Sequence, residues 1–301
     1  MLSTPTGVQV ETKLPLGGFG ISRYTLDHLL YQTALANGCV VEKAMVEKID
    51  FFGDKFCVST RRGIDYFATF VIGAYGKRAA LDIALNRKFI REKTPFLAVK
   101  CHYTGDFPNN LVALHNFEGG YCGVSKVEND LINVCYLANY KSFKPYRKIE
   151  AYQREVLFKN PHLKNIFQHL KMAFPQPISI SQISFSTKER VQNHIFMSGD
   201  TAGMIHPLCG NGMGMAIHSA QILSDLLVQY FNGRTTNRQE LEQEYIAMWN
   251  QTFRKRLTVG RFLNFFLATP ILLEKGIPLL RLLPNLLPFI IKQTHGEVLR
   301  V

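Results

Sequence analysis

The sequence predicts a mixed α/β (α+β) protein of more than one domain, and three observations carry the prediction. The chain has 301 residues and 47% hydrophobic content, enough for two domains with substantial cores. Short apolar runs separated by turn residues fill its first half, the pattern of antiparallel strands. A glycine-dense stretch from Met197 to Ala216 then leads into a segment of helical periodicity.

Taken in order, Ser22 is placed to cap a helix over 23–37, in which Leu26, Leu29, Leu30 and Ala34 make an apolar stripe and Gly38 supplies the stop. Residues 39–41, 46–51, 56–59 and 64–68 read as short strands, with turns at Gly53-Asp54 and Arg62-Gly63. The continuous apolar run 70–73 suits a strand buried on both faces. Four further strands, near 97–103, 111–117, 121–127 and 131–137, are separated by turn chemistry and predict an antiparallel sheet. Helices follow over 147–158 and 162–173 until Pro175 and Pro177 break the pattern, and 178–185 and 194–198 return as strands. The last clear helix, about 212–230, places Ala216, Ala220, Leu223 and Leu227 on one side and closes at Asn232-Gly233.

The formal charge of +12 favours anionic partners. Six cysteines lie scattered without C-x-x-C spacing, and the nine histidines show no pairing at ligand spacing, which argues against a metal cluster and for free thiols in a reducing cytoplasm. The stretch 262–291 is strongly apolar, but four prolines interrupt it and Glu274, Lys275 and Arg281 charge it. It reads as helices packed on the protein's own core, with contact to a membrane surface or a greasy substrate as the alternative. The interleaved aromatic and basic residues 140–147 read as a solvated linker, so no specific nucleic-acid partner is expected.

Within "MSGDTAGMIHPLCGNGMGMA" each residue type has a physical role. An aspartate at a strand end, Asp200, can accept hydrogen bonds from a pair of sugar hydroxyls. Gly210 and Gly212, at the following helix start, let the backbone approach a planar or anionic ligand because no Cβ intervenes. The free amides and positive dipole end of that helix favour negative charge. Together they describe a mononucleotide or flavin site.

The pattern Gly-Asp-x-Ala-Gly-x-x-x-Pro-x-x-Gly-x-Gly-x-x-x-Ala, with Gly199, Asp200, Ala202, Gly203, Pro207, Gly210, Gly212 and Ala216 in matching places, resembles the second FAD-contacting motif of flavoproteins related to geranylgeranyl reductase and p-hydroxybenzoate hydroxylase. By that resemblance Asp200 binds the ribitol or ribose region of FAD, and Asn211, Gly212 and Met213 bring their backbone to the flavin. The segment 18–41 is similar to the family's helix opening on Ser/Thr-Arg, which implies that Arg23 lies against FAD phosphate. The segment "FVIGAYGKRAALD" resembles the family's Gly-Ala-Asp-Gly segment, except that Tyr75 stands where the family has aspartate. No strand, G-x-G-x-x-G and helix unit is found, so the resemblance begins just after the family's first nucleotide-binding unit.

These readings imply an N-terminally incomplete, Rossmann-like FAD-binding domain in two parts, 1–80 and 191–235, an antiparallel-sheet substrate domain over 81–190, and a C-terminal helical region over 236–301. The implied activity is that of a flavin-dependent oxidoreductase, a reductase or monooxygenase, with NAD(P)H as electron donor and an apolar lipid, isoprenoid, polyene or aromatic substrate. The electron chemistry belongs to the flavin, in keeping with the lack of a Ser-His-Asp or paired-carboxylate signature. A flavin-free binding or membrane-associated protein derived from that family is the alternative.

Overall fold

Alternating apolar residues build the main sheet. In the computed structural model, which describes residues 1–92, 94–235 and 237–296, the strand Phe96–Thr104 buries Leu97, Val99, Cys101 and Tyr103 while the residues between them are less covered. It pairs antiparallel with Ile132–Asn139, which pairs with Gly120–Lys126, which pairs with Val112–Phe117. This is the antiparallel sheet that the sequence predicts. Among the described residues the sheet has eight strands, extended at one side by Lys171–Met172 and Ile178–Ser181 on Phe96–Thr104, and at the other by Leu2–Ser3 and Gln9–Val10. Leu2–Ser3 runs parallel to Val112–Phe117.

Chain contacts divide the molecule into two units. The first holds Met1–Val41, Thr94–Ile183 and Phe262–Lys292; the second holds the described parts of Glu42–Lys93, Ser184–Arg261 and Gln293–Val301. In the first, the helices Ile149–Glu155 and Pro161–His169 bring Tyr152, Leu163 and Ile166 onto the inner face of the sheet. Asn160 caps the second of these and ties it to the N-terminal strand, its amide donating to Ser3 Oγ, Thr4 O and Asn116 O at 2.9–3.0 Å.

The second unit contains the meander Val46–Phe52, Lys55–Thr60 and Asp65–Ala68, and a small sheet in which Ile72–Gly73 runs parallel to Ile195–Met197. Gly53 and Asp54 both take positive φ, the conformation a tight hairpin turn requires. The core of this unit gathers Phe196 from the strand Ile195–Met197, Ile222 and Leu223 from the helix Gly212–Phe231, and Tyr245, Trp249 and Phe253 from the helix Arg238–Ala268.

Several sequence expectations are corrected. Residues 39–41 form no strand: they follow the left-handed Gly38 and lie exposed without a ladder partner. The run 70–73 yields only the two-residue strand Ile72–Gly73 at the end of its sheet, with Ile72 exposed. The strand expected over 178–185 stops at Ser181, and the helix expected over 162–173 ends at His169, where Lys171–Met172 joins the sheet edge instead. The helix expected over 147–158 is a short α-helix, Ile149–Glu155, followed by a 3-10 turn. The helix Arg23–Ala36 is capped by Ser22, whose Oγ accepts from Thr25 N at 3.1 Å, but it buries none of its residues, its leucine stripe included. The helix Gly212–Phe231 turns a different face inward, burying Met215, Ser219, Ile222, Leu223 and Leu226. Ser219, which the sequence reading did not single out, is buried there, and its hydroxyl meets Ser198 Oγ, Tyr245 OH and Trp249 Nε1 at 3.1–3.2 Å.

Candidate flavin-binding site

The second unit brings together the two segments that carry the sequence resemblance. Ile72–Gly73 pairs with Phe196–Met197, and the turn that follows each is clasped to the other. Gly76 N donates to Thr201 Oγ1 at 2.9 Å, and Thr201 Oγ1 donates back to Gly76 O at 3.1 Å. Gly199 adopts φ +60 and lies so close to the helix that a methyl group there would stand 3.3 Å from Ala216 Cβ. Gly203 leaves room for the indole of Trp249, which a methyl group would meet at 2.7 Å. The Gly-Asp-Thr-Ala-Gly turn is therefore packed on both sides by residues that its own small side chains admit.

Two buried cations and one partly buried one, which sequence reasoning missed, hold the same turn by its carbonyls. Lys188 Nζ donates to Asp200 O at 2.7 Å and to Lys77 O at 2.9 Å. Arg87 donates to Thr201 O at 2.9 Å, and Arg190 to Ala202 O at 3.1 Å. Three consecutive carbonyls thus each take a different cation, and the backbone carrying Asp200 is fixed from behind. Arg87 is fully buried with Asp82, its ion-pair partner at 3.0 Å, and also reaches Glu189. A buried pair of this kind leaves a costly uncompensated charge if either member is lost. Lys188 packs over the Phe89 ring and Arg190 over Trp249, with 4.3 Å and 3.9 Å to the ring centroids. Burial, reinforced by the neighbouring Arg87 charge, pulls the Lys188 ammonium down to about 8, and burial draws Arg190 down to about 10. The sequence did contain a signal: in Lys188-Glu-Arg190 the cations stand two apart, which in an extended segment puts both on one face.

Beyond the turn, Pro207 opens a 3-10 turn that Gly210 ends in the left-handed region at φ +64. Asn211 then stands at the N-cap of Gly212–Phe231 without a side-chain capping bond, so no capping side chain takes up the amides of the first turn. Its amide nitrogen donates instead to Thr294 O and His295 O at 3.1 and 3.0 Å, tethering the C-terminal end of the helix Leu286–His295. A methyl group built on Gly210 or on Gly212 would meet nothing within 4 Å. The mouth of the helix is open where a ligand would need bare backbone, and Met213 beside it is exposed.

Gly199, Asp200, Pro207, Gly210, Asn211, Gly212 and Met213 thus lie on one continuous path in the second unit. Arg23 belongs to the first unit, where its guanidinium makes a two-pronged contact with Asp27 at 3.0 Å on an exposed helix face. Tyr75, which stands in the place of an acid, folds back over Gly73, and its hydroxyl donates to Met197 Sδ at 3.6 Å. Burial and the nearby Asp82 push that phenol up to about 12. His206 is buried against Phe185, with 4.4 Å between ring centroids, and burial lowers it to about 4. It is neutral at pH 7. Cys209 is buried, and its thiol is pushed up to about 12, which makes it a packed sulfur rather than a nucleophile. All six cysteines are free, and no metal-ligating cluster occurs among the described residues.

This fold is similar to that of several solved flavin-dependent enzymes. The halogenase PltM, solved with phloroglucinol and FAD, superposes with a TM-score of 0.68 at 17% identity, over 83% of this chain and 55% of its own. The flavin-dependent halogenase CmlS gives 0.66 at 20% identity, over 79% and 45%. A flavoprotein/dehydrogenase of Cytophaga hutchinsonii gives 0.65 at 18% identity, over 91% and 75%. At these identities the likeness is one of fold. Among curated proteins, Conditioned medium factor receptor 1 of Dictyostelium discoideum is 26% identical over 174 residues, 54% of this chain and 31% of that protein. The chain spans about half the length of the two halogenases and about a third of the curated relative. No protein-family model matches it.

Proposed function

We propose that the chain is the FAD-binding and substrate-sheet part of a flavin-dependent oxidoreductase, a reductase or monooxygenase of the geranylgeranyl reductase and p-hydroxybenzoate hydroxylase kind. The observation that carries the reading is the open mouth of the helix Gly212–Phe231: bare backbone at Gly210 and Gly212, no side-chain cap, and an adjacent turn that presents Asp200 from an anchored backbone. These features fit FAD. Bound there, the flavin would supply the electron transfer, with NAD(P)H as the donor and an apolar lipid, isoprenoid, polyene or aromatic molecule as substrate.

The protein's own residues would then have positioning roles. Asp200 accepts hydrogen bonds from the sugar-alcohol portion, and the helix-start amides at Gly212 and Met213 favour negative charge on the ring edge they face. Lys188, Arg87 and Arg190 keep the turn from moving when the ligand loads. Titration of the purified chain with FAD, followed by flavin absorbance and fluorescence quenching, tests the reading. Binding is expected in the wild type and at least about tenfold weaker in Asp200→Ala, a loss of one or two charge-assisted hydrogen bonds. A folded chain that leaves FAD in solution would establish the flavin-free alternative, and equal affinity in the variant would remove Asp200 from the site.

A further inference from the structure

The helix Pro270–Leu282 is apolar on two faces, and the structure covers one of them. Leu273, Ile277 and Leu280, spaced as one side of a helix, are buried against Val10. Polar contacts fix the same orientation: Glu274 accepts from Thr6 N at 3.2 Å and Thr6 Oγ1 at 2.9 Å, and Arg281 Nε donates to Gln9 O at 2.7 Å. The opposite side carries Ile271, Leu279 and Leu282, each more than half exposed, with the exposed Lys275 at its centre. Phe262 and Phe265 before this helix and Phe289 after it are also more than half exposed. Large apolar side chains bared in such number mark an interaction surface.

We propose that this segment, 262–292, docks on the surface of a membrane containing anionic lipid. Charge selects that occupant. Within 262–292 itself the sequence holds Lys275, Arg281 and Lys292 against a single Glu, and the one acid is turned to Thr6. An apolar helix face with a lysine in its middle suits the headgroup boundary, where the aliphatic stem lies along the acyl region and the ammonium reaches the phosphates. The centre of a protein interface is instead depleted of lysine. No single described helix is long and apolar enough to cross a membrane; the proposal places the segment in the interface plane.

The experiment is flotation of the full chain with vesicles of phosphatidylcholine alone and of phosphatidylcholine with phosphatidylserine. Binding is expected to the anionic vesicles and to weaken with salt. Ile271→Ser, Leu282→Ser and Phe289→Ser, at positions outside the core, should each lower partitioning roughly tenfold without changing the thermal melt. Lys275→Glu, which keeps the apolar area, should weaken binding to the anionic vesicles alone. Absence of flotation, flotation unchanged by the serine variants, or a concentration-dependent dimer that those variants dissolve would each overturn the proposal, the last by assigning the face to a second copy of the chain.

Discussion

Replacing Gly212 by alanine separates a ligand-binding helix mouth from a merely structural turn, because the two readings predict different pairs of outcomes. Gly212 is the first residue of Gly212–Phe231, and a methyl group there meets nothing within 4 Å. In the ligand-free chain the substitution therefore removes backbone freedom from the unfolded state and adds no clash. The expected gain is about 0.5–1 kcal/mol, a rise in Tm of roughly 1–2 °C for a chain of this size. With a planar ring lying against that backbone, the same methyl displaces it by more than an ångström. The contacts and hydrogen bonds lost should weaken binding by roughly tenfold to a hundredfold, or about 1.4–2.7 kcal/mol. The assays are a thermal melt of the apo chain and a flavin titration of the same preparation. A variant that melts higher and still binds flavin with unchanged affinity would refute the idea that ligand rests on Gly212. Gly214→Ala serves as contrast: its methyl would stand 2.5 Å from Asn211 Oδ1, so it should disturb the Asn211 tether even without ligand.

Two further predictions concern the units separately. Gly203→Ala forces a methyl to within 2.7 Å of the buried Trp249 ring and should destabilise the chain by about 1–3 kcal/mol; a chemical denaturation midpoint equal to the wild type's would show that the indole has room to yield. His115 is buried, bonded through Nδ1 to Ser3 Oγ at 2.9 Å and stacked on His162, and burial, then the His162 charge, lower it from 6.5 to about 3. The unfolded chain therefore binds more protons than the folded one between those values, so stability falls as pH drops from about 6.5 toward 3, at up to about 1.4 kcal/mol per pH unit. His115→Gln should flatten that acid slope, and an unchanged slope in denaturation curves measured from pH 7 to pH 4 would assign it to other groups.

Local chemistry made part of this architecture legible from the sequence. The antiparallel sheet announced itself because period-two burial and turn residues are local signals, and strands such as 97–103 and 121–127 lie within a few residues of their observed bounds. Ser22 as a cap and Gly53-Asp54 as a turn were legible for the same reason. The strands Leu2–Ser3 and Gln9–Val10 were not, since two residues carry no period and the pairing of Leu2–Ser3 with Val112–Phe117 is set by distant chain. Nor did periodicity show that the leucines of Arg23–Ala36 would stay uncovered, because a stripe says which side of a helix is apolar and not whether anything packs on it.

At the candidate site the division is similar. The order of residues by itself determined the glycine spacing, the lone acid at Asp200 and the helix that follows, because backbone freedom and helix starts are written in adjacent residue types. Only the tertiary structure decided that Lys188, Arg87 and Arg190 each take one of three successive carbonyls, that Ser219 is a buried hydrogen-bond hub, and that Asn211 holds Thr294 and His295 rather than capping its own helix. A cation in a sequence looks like surface until the fold desolvates it, and whether its charge is then compensated depends on groups that can lie more than a hundred residues away along the chain.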